Sequence, residues 1–177
     1  MATPQEKLAD SLEALKALQD ANAVAIRARD LSRTHRERLL KSGFLQEVMK
    51  GWYVSASPHD DRGETTAWYA SFWDFCASYL TERFGDAWCI GPERSLSLHA
   101  GNRAVPPQLL IRTPKGGNKP TALLHNTSVF DMRASMPAPG DIVELDGLRL
   151  FTPAAALTEV GEVFFQQHST DARTVLA

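Results

Sequence analysis

The sequence of 177 residues predicts an α+β protein built in two parts. Three observations lead to this prediction. Helical periodicity runs through the first 43 residues, residues 44–54 have the pattern of a tight hairpin, and the second half consists of short β-prone runs bounded by Pro and Gly. Because a polar, turn-rich stretch at residues 58–66 separates the parts, we predict domains at residues 1–57 and 66–177.

The composition is typical of a folded protein of one or two modest domains. Hydrophobic residues make up 44% of the chain and charged residues 23%, far from the disordered regime. No run of about 18 apolar residues and no signal-like N-terminus occurs, which argues against a membrane span and against secretion. Cys76 and Cys89 lie 13 positions apart without the clustering that a zinc site needs, and are typical of reduced thiols. We therefore expect a cytoplasmic protein without a metal or another cofactor.

The N-terminus carries a complete helix-start signal. Thr3 is the expected N-cap, Pro4 occupies the first helical position, and Glu6 reaches back to complete a capping box. Four leucines then recur at helical spacing and predict a packed face: they are Leu8, Leu12, Leu15 and Leu18.

The next segment has the order of a winged helix-turn-helix. We predict a brief second helix from Ile26 to Leu31, and a third that Ser32 caps and Gly43 ends in the left-handed conformation. A hairpin from Phe44 to Val54 follows, and Gly51 supplies the residue that its tight turn favours. Three helices and a two-stranded wing make up that motif.

The second part is predicted as a mixed α/β domain with short strands and hairpins. It opens with helices Thr66–Phe84 and Pro92–Ala100, and the aromatic ridge of the first one is interpreted as core. Asp146-Gly147 is a strong two-residue hairpin signal. Further helices start at Thr152-Pro153 and near Ser169, and since the last one reaches the final residue, the chain can be the front part of a longer protein. The predicted strands are Gln108–Thr113, Ala122–Leu124, Ser128–Arg133, Ile142–Leu145 and Leu148–Phe151.

A formal net charge of −2 hides a basic region. From Arg27 to Lys50, seven Arg and Lys side chains face three carboxylates, which leaves a local charge of +4. Affinity for a phosphate backbone depends on such a local patch, and the third helix of a winged helix lies in the major groove. The alternative is a solvated helix whose arginines pair with Glu37 or Asp30. The predicted DNA-binding residues are Arg27, Arg29, Arg33, Thr34, Arg36, Lys41 and, at the wing tip, Lys50.

The run LSRTHRERLLKSGFLQEVMKGWYV, followed later by SLSLHAG and LRLFTPAAAL, resembles the AbiEi family of type IV antitoxins and related transcriptional regulators. The winged helix of that family carries the pattern Gly-x-Leu-x-x-Val-x-x-Gly-x-Tyr. The chain is also similar to regions that precede Fic domains in bacterial proteins. The resemblance implies autoregulatory DNA binding through the winged helix, and a second domain tied to antitoxin action or to an attached effector. The matching residues are Gly43, Leu45, Val48, Gly51 and Tyr53.

Catalytic motifs are incomplete. The stretch HAGNR, His99–Arg103, keeps only fragments of a Fic catalytic loop, and Ser95 near it lacks a nucleophile elbow and an orienting acid. The stretch TPKGGNKP lacks the spacing of a Walker loop and is interpreted as a flexible turn. Its Lys115 and Lys119 are candidates for a second phosphate contact. We predict no catalytic residue and no enzymatic activity.

The sequence thus predicts a DNA-binding transcriptional regulator of the antitoxin type, with double-stranded DNA as its partner and a homodimer on an inverted repeat as the expected assembly. The alternative is a protein-interaction module that docks on a cognate toxin or Fic-type effector and uses the winged helix only as a scaffold.

Overall fold

The computed structural model describes residues 3–58 and 65–177, and within them it has an α+β fold, as the sequence predicts. The chain forms two compact units, Met1–Ser78 with Leu123–His125, and Tyr79–Ala122 with Asn126–Ala177. The predicted linker falls mostly on residues 59–64, which lie outside the described residues. None of the described helices is both long and apolar enough to cross a bilayer.

The first helix of the first unit, α1 (Pro4–Asp20), begins where the sequence predicts. The Thr3 hydroxyl accepts a hydrogen bond from the Glu6 backbone N–H at 3.2 Å, and the Glu6 carboxylate accepts one from the Thr3 N–H at 2.6 Å. The capping box is therefore confirmed. Leu15 is buried and the other three leucines of the predicted face are half-buried, which confirms the packed side of the helix.

The predicted second helix is wrong, because its first residues form strand β1 (Ile26–Arg27). Ile26 is fully buried and lies opposite Tyr53 in an antiparallel pair. A turn follows: the Asp30 N–H donates to the Arg27 carbonyl at 2.9 Å, and the Arg27 N–H donates to the Asp30 carboxylate at 2.8 Å. The few residues left before the next helix cap are too short to offset the cost of nucleating a helix.

The helix that the sequence predicts as the third, and the hairpin after it, follow their predicted signals. Ser32 caps the helix by accepting from the His35 N–H, and Gly43 ends it at φ 76°. Gly51 has φ 83° in the hairpin turn, a value that favours glycine. The elements are α2 (Arg33–Lys41), β2 (Leu45–Met49) and β3 (Trp52–Ser55). Together with β1, the two strands of the hairpin form one antiparallel sheet in the order β1-β3-β2.

An apolar cluster between these elements forms the core of the first unit. Helix α3 (Thr66–Phe84) has the predicted bounds, and its residues up to Ser78 add an aromatic group to this unit. The Trp68 and Phe75 rings lie 5.4 Å apart in edge contact, an arrangement that aromatic pairs prefer. The ridge is thus core, as predicted. The cluster consists of Leu15, Ile26, Leu31, Leu39, Leu45 and Tyr53.

The second unit combines a four-stranded sheet, a two-stranded hairpin and short helices. The sheet has the order β4 (Cys89–Ile90), β5 (Gln108–Thr113), β7 (Ser128–Arg133), β6 (Pro120–Ala122), and the hairpin pairs β8 (Ile142–Leu145) with β9 (Leu148–Phe151). Strands β5 and β7 are parallel, and the other pairs are antiparallel. Asp146 and Gly147 have φ values of 50° and 76°, as a two-residue hairpin turn requires. The remaining elements are α4 (Pro92–His99), a 3-10 turn (Pro139–Asp141), α5 (Pro153–Glu159), α6 (Glu162–Gln167) and α7 (Ser169–Leu176).

Three elements of the second unit differ from the prediction. Strand β6 ends at Ala122 instead of Leu124, because His125 and Asn126 both have positive φ and turn the chain into β7. Strand β4 was not predicted, since two residues carry no periodicity. Helix α6, with six residues, was missed for the same reason.

Candidate nucleic-acid interface

One side of α2 is exposed and carries charged and polar side chains at helical spacing. Arg33, Glu37 and Lys41 follow one another at intervals of four, and Thr34 lies beside them. The Arg33 Nε donates to the Glu37 carboxylate at 2.6 Å, with side chains 83% and 60% exposed. This hydrogen bond raises the pKa of Arg33 and lowers that of Glu37. The outward orientation predicted for Arg33, Thr34 and Lys41 is confirmed, and the alternative of an Arg33–Glu37 pair is present on the same surface.

Arg36 does not project outward, and the prediction that it lies on the exposed side is wrong. Its side chain is half-buried, and one guanidinium nitrogen donates to the Ala28 carbonyl at 2.6 Å. The guanidinium carbon lies 5.9 Å from the centre of the Tyr53 ring, within range of a cation–π contact. Arg36 therefore holds the turn after β1 against α2.

Sequence reasoning missed a polar network between α1 and α2. Ser11 is fully buried, and its hydroxyl donates to the Lys7 carbonyl at 3.0 Å. The same oxygen lies 2.9 Å from His35 Nδ1 and accepts a hydrogen bond from Arg38 at 2.9 Å. The direction of the hydrogen bond between Ser11 and His35 is set by the tautomer of the imidazole. A serine on an otherwise apolar helix face was the signal that could have revealed this network.

Three further basic residues of the first unit come from the segments before and after α2. Arg27 pairs with Asp30, with 3.1 Å between Nε and Oδ2. Burial opposes ionisation of Asp30, but hydrogen bonds and charge from Arg27 outweigh it and lower the Asp30 pKa. Arg29 is exposed, as is Lys50 in the hairpin turn. We define the α2–wing surface as the exposed residues Arg29, Arg33, Thr34, Lys41 and Lys50.

Lys115 and Lys119 are exposed on the loop between β5 and β6, in the second unit. This loop is fastened to β7, unlike the flexible turn that the sequence predicts. The Gly117 N–H donates to the Asp131 carboxylate at 3.2 Å, and the Arg133 side chain donates to the Gly116 carbonyl at 2.7 Å. The two lysines are thus presented by an anchored loop.

The polar residues of α4 connect that helix to strand β9. The Ser95 hydroxyl donates to the Ile90 carbonyl and accepts from the Phe151 N–H, both at 3.1 Å. The His99 Nε2 donates to the Phe151 carbonyl at 2.8 Å. Asn102, in the HAGNR stretch, donates to the Asp171 carboxylate at 3.1 Å. Within residues 3–58 and 65–177, no group of three or more metal-binding side chains lies together.

No family model, curated protein or solved structure matches the chain. The AbiEi resemblance therefore stays a prediction that rests on the residues that carry it. Of these, Gly43 and Gly51 occupy backbone positions with positive φ, and Leu45, Val48 and Tyr53 are buried. The pattern thus encodes two turns and a packed sheet. Of the predicted DNA-binding residues, only Lys50 lies within it, and the others precede Gly43.

Proposed function

We propose that the chain is a DNA-binding transcriptional regulator of the antitoxin type, and that it binds the region upstream of its own gene. The observation that carries the proposal is the α2–wing surface: a helix with an exposed basic side is followed at once by a tight hairpin with Lys50 in its turn. In the proposed complex, α2 enters the major groove and the β2–β3 hairpin lies along the neighbouring backbone, as the third helix and the wing of a winged helix do. The first unit has strand β1 in place of the second helix of that motif.

The dimensions and side chains of α2 suit this role. Nine residues make a helix about 13.5 Å long, and a major groove about 12 Å wide admits such an element. Residues at the start of a recognition helix reach base edges, so Arg33 and Thr34 are assigned to base contacts. Lys41 and Lys50 are assigned to phosphates. Arg36 and Arg38 contact the protein itself and serve only to hold α2 in position.

The Arg33–Glu37 pair does not prevent these contacts. Both side chains are largely exposed, and exposed ion pairs contribute little to stability because water and salt compete with them. Arg33 can exchange Glu37 for guanine, to which arginine donates two hydrogen bonds. The released Glu37 carboxylate can accept from a cytosine amino group on the same face.

A second candidate function, a module that docks on a toxin or Fic-type effector, has its own support. Leu110 and Met132 are 51% and 43% exposed. They project from the same face of the parallel β5–β7 pair, since Leu110 lies opposite Phe130 and Met132 is two residues further on. Exposed apolar side chains of this size are typical of interaction surfaces when they cluster. The two functions are compatible, as antitoxins of this type bind both DNA and a partner protein.

The test compares two double variants of equal charge in a DNA-binding assay with the duplex upstream of the gene. Lys41→Ala/Lys50→Ala removes two cations of the α2–wing surface, and Lys7→Ala/Lys16→Ala removes two exposed cations of α1. Each phosphate contact releases counterions from the DNA when it forms, and the first variant loses two such contacts. Its affinity for the duplex should therefore be about 60-fold weaker at 0.1 M salt, whereas the control should bind like the wild type. Equal affinities for both variants would contradict the proposal, and a complex with a neighbouring gene product without DNA binding would favour the second function.

A further inference from the structure

The first unit contains a cleft of about 420 Å³ beside the end of α2. This volume lies in the range of small-molecule sites, about 300 to 1,000 Å³. All of its lining residues belong to the first unit, including His125 from the short segment that joins it. The floor is apolar and includes the buried side chains of Leu45 and Val54. The polar part of the lining includes Lys41, Ser42, Gln46 and His125.

The described residues that line the cleft contribute basic groups and no acidic ones. Lys41 and His125 are the titratable side chains among its described lining residues, and no carboxylate is among them. Neither side chain has a hydrogen-bond or ion-pair partner within the described residues, and the same holds for the side chain of Gln46. An ammonium without a partner among the described residues, an imidazole and an amide beside apolar side chains form a surface complementary to an organic anion.

The adjacent helix end does not oppose an anion strongly. A helix C-terminus carries partial negative charge on its last carbonyls. Here the carbonyls of Arg38, Leu39 and Leu40 already accept hydrogen bonds from the backbone N–H groups that follow, at 3.0 to 3.2 Å. His125 also has φ 49°, a conformation uncommon for residues other than glycine and often found at functional positions.

We propose that this cleft binds a small organic anion, a phosphate or carboxylate on an apolar body, and that its occupancy opposes DNA binding. The second clause rests on the proposed function, because Lys41 belongs both to the cleft and to the α2–wing surface. An anion paired with Lys41 removes one phosphate contact from the DNA complex. By thermodynamic linkage, bound DNA must weaken the binding of the anion by the same factor.

The first arm of the test measures binding without DNA. We expect phenyl phosphate or benzoate to shift the amide NMR signals of residues 41–46 and 54–57 in a saturable way, with inorganic phosphate weaker and neutral phenol without effect. Lys41→Gln and His125→Asn should each weaken the binding of phenyl phosphate at least fivefold. Lys16→Gln, which removes an exposed lysine of α1, is the matched control. Asparagine tolerates the positive φ of residue 125. No shift by either aromatic anion, or equal affinities in the Lys41 variant and the control, would overturn the site.

The second arm measures DNA affinity with and without saturating phenyl phosphate at constant ionic strength. We expect phenyl phosphate to lower the affinity for DNA about eightfold at 0.1 M salt, which is the contribution of one phosphate contact. In Lys41→Gln we expect no change in the affinity for DNA. Unchanged DNA affinity with a filled cleft would overturn the regulatory clause. If the protein binds no DNA, the proposed function fails, and the first arm alone still decides the anion site.

Discussion

Replacing Arg36 by alanine separates a structural role from a DNA contact. The variant removes a charged donor from the Ala28 carbonyl, a hydrogen bond of 2.6 Å, and a cation–π contact with Tyr53 at 5.9 Å. Such a hydrogen bond contributes about 1.5 to 3 kcal/mol and such a contact about 0.5 to 1 kcal/mol. Because Arg36 is only half-buried, water can replace part of both. We therefore expect a loss of about 1 to 2 kcal/mol in the free energy of unfolding of the first unit.

The assay combines urea unfolding with amide hydrogen exchange. For a urea dependence of about 2 kcal/mol per M, the midpoint should fall by about 0.5 to 1 M. Amide exchange in Ile26–Lys41 reports directly on this region and should accelerate about 5- to 30-fold. Arg36→Lys keeps the charge and loses the planar fork, so it should also be destabilised.

Arg33→Ala is the matched control, because it removes an exposed arginine from the same helix. We expect unfolding and exchange like those of the wild type, with weaker DNA binding. If Arg36→Ala instead left stability unchanged and reduced DNA affinity as Arg33→Ala does, Arg36 would be a DNA contact and the reasoning from its hydrogen bonds would be refuted.

Three further variants or treatments test the packing. Ser11→Ala should cost about 1 to 3 kcal/mol in urea unfolding, since the half-buried His35 and Arg38 side chains lose their bond to the buried hydroxyl. Ser71→Ala loses only a bond to a carbonyl of its own helix and should cost less; equal losses would contradict the network. Gly116→Ala places a Cβ 2.7 Å from backbone atoms of β7 and should lower the free energy of unfolding by about 1 to 3 kcal/mol, while Gly140→Ala meets nothing within 4 Å. An unaffected Gly116→Ala would show that the loop is not closely packed. Burial raises the pKa of Cys89 to about 11, so a thiol reagent at pH 8 should label this cysteine only after denaturation; rapid labelling of the native protein would contradict its burial.

Local signals explain how much of the fold could be predicted. The capping box at Thr3, the C-cap at Gly43 and the hairpin at Asp146-Gly147 each depend on residues within a few positions, and each is present in the structure. Ile26 was mispredicted because its state depends on pairing with Tyr53, which lies far along the chain. An isolated apolar residue cannot reveal such a partner.

The candidate site was predictable to the level of the helix but not of every side chain. Leu39 and Leu40 fix the buried side of α2 only broadly, since adjacent residues differ by about 100° around a helix. Whether Arg36 points outward is decided by the Ala28 carbonyl, and the position of Arg38 by the buried Ser11 hydroxyl. These partners come from other segments, so periodicity alone could not identify them.

The salt dependence of DNA binding tests the central claim most directly. With phosphate contacts from Lys41 and Lys50, the logarithm of the association constant should fall against the logarithm of salt concentration with a slope of about −1.8. In Lys41→Ala/Lys50→Ala, the slope should shrink to about zero, while Lys7→Ala/Lys16→Ala keeps the wild-type value. A wild-type affinity that does not respond to salt, or the same slope in all three proteins, would contradict the assignment of this surface to DNA.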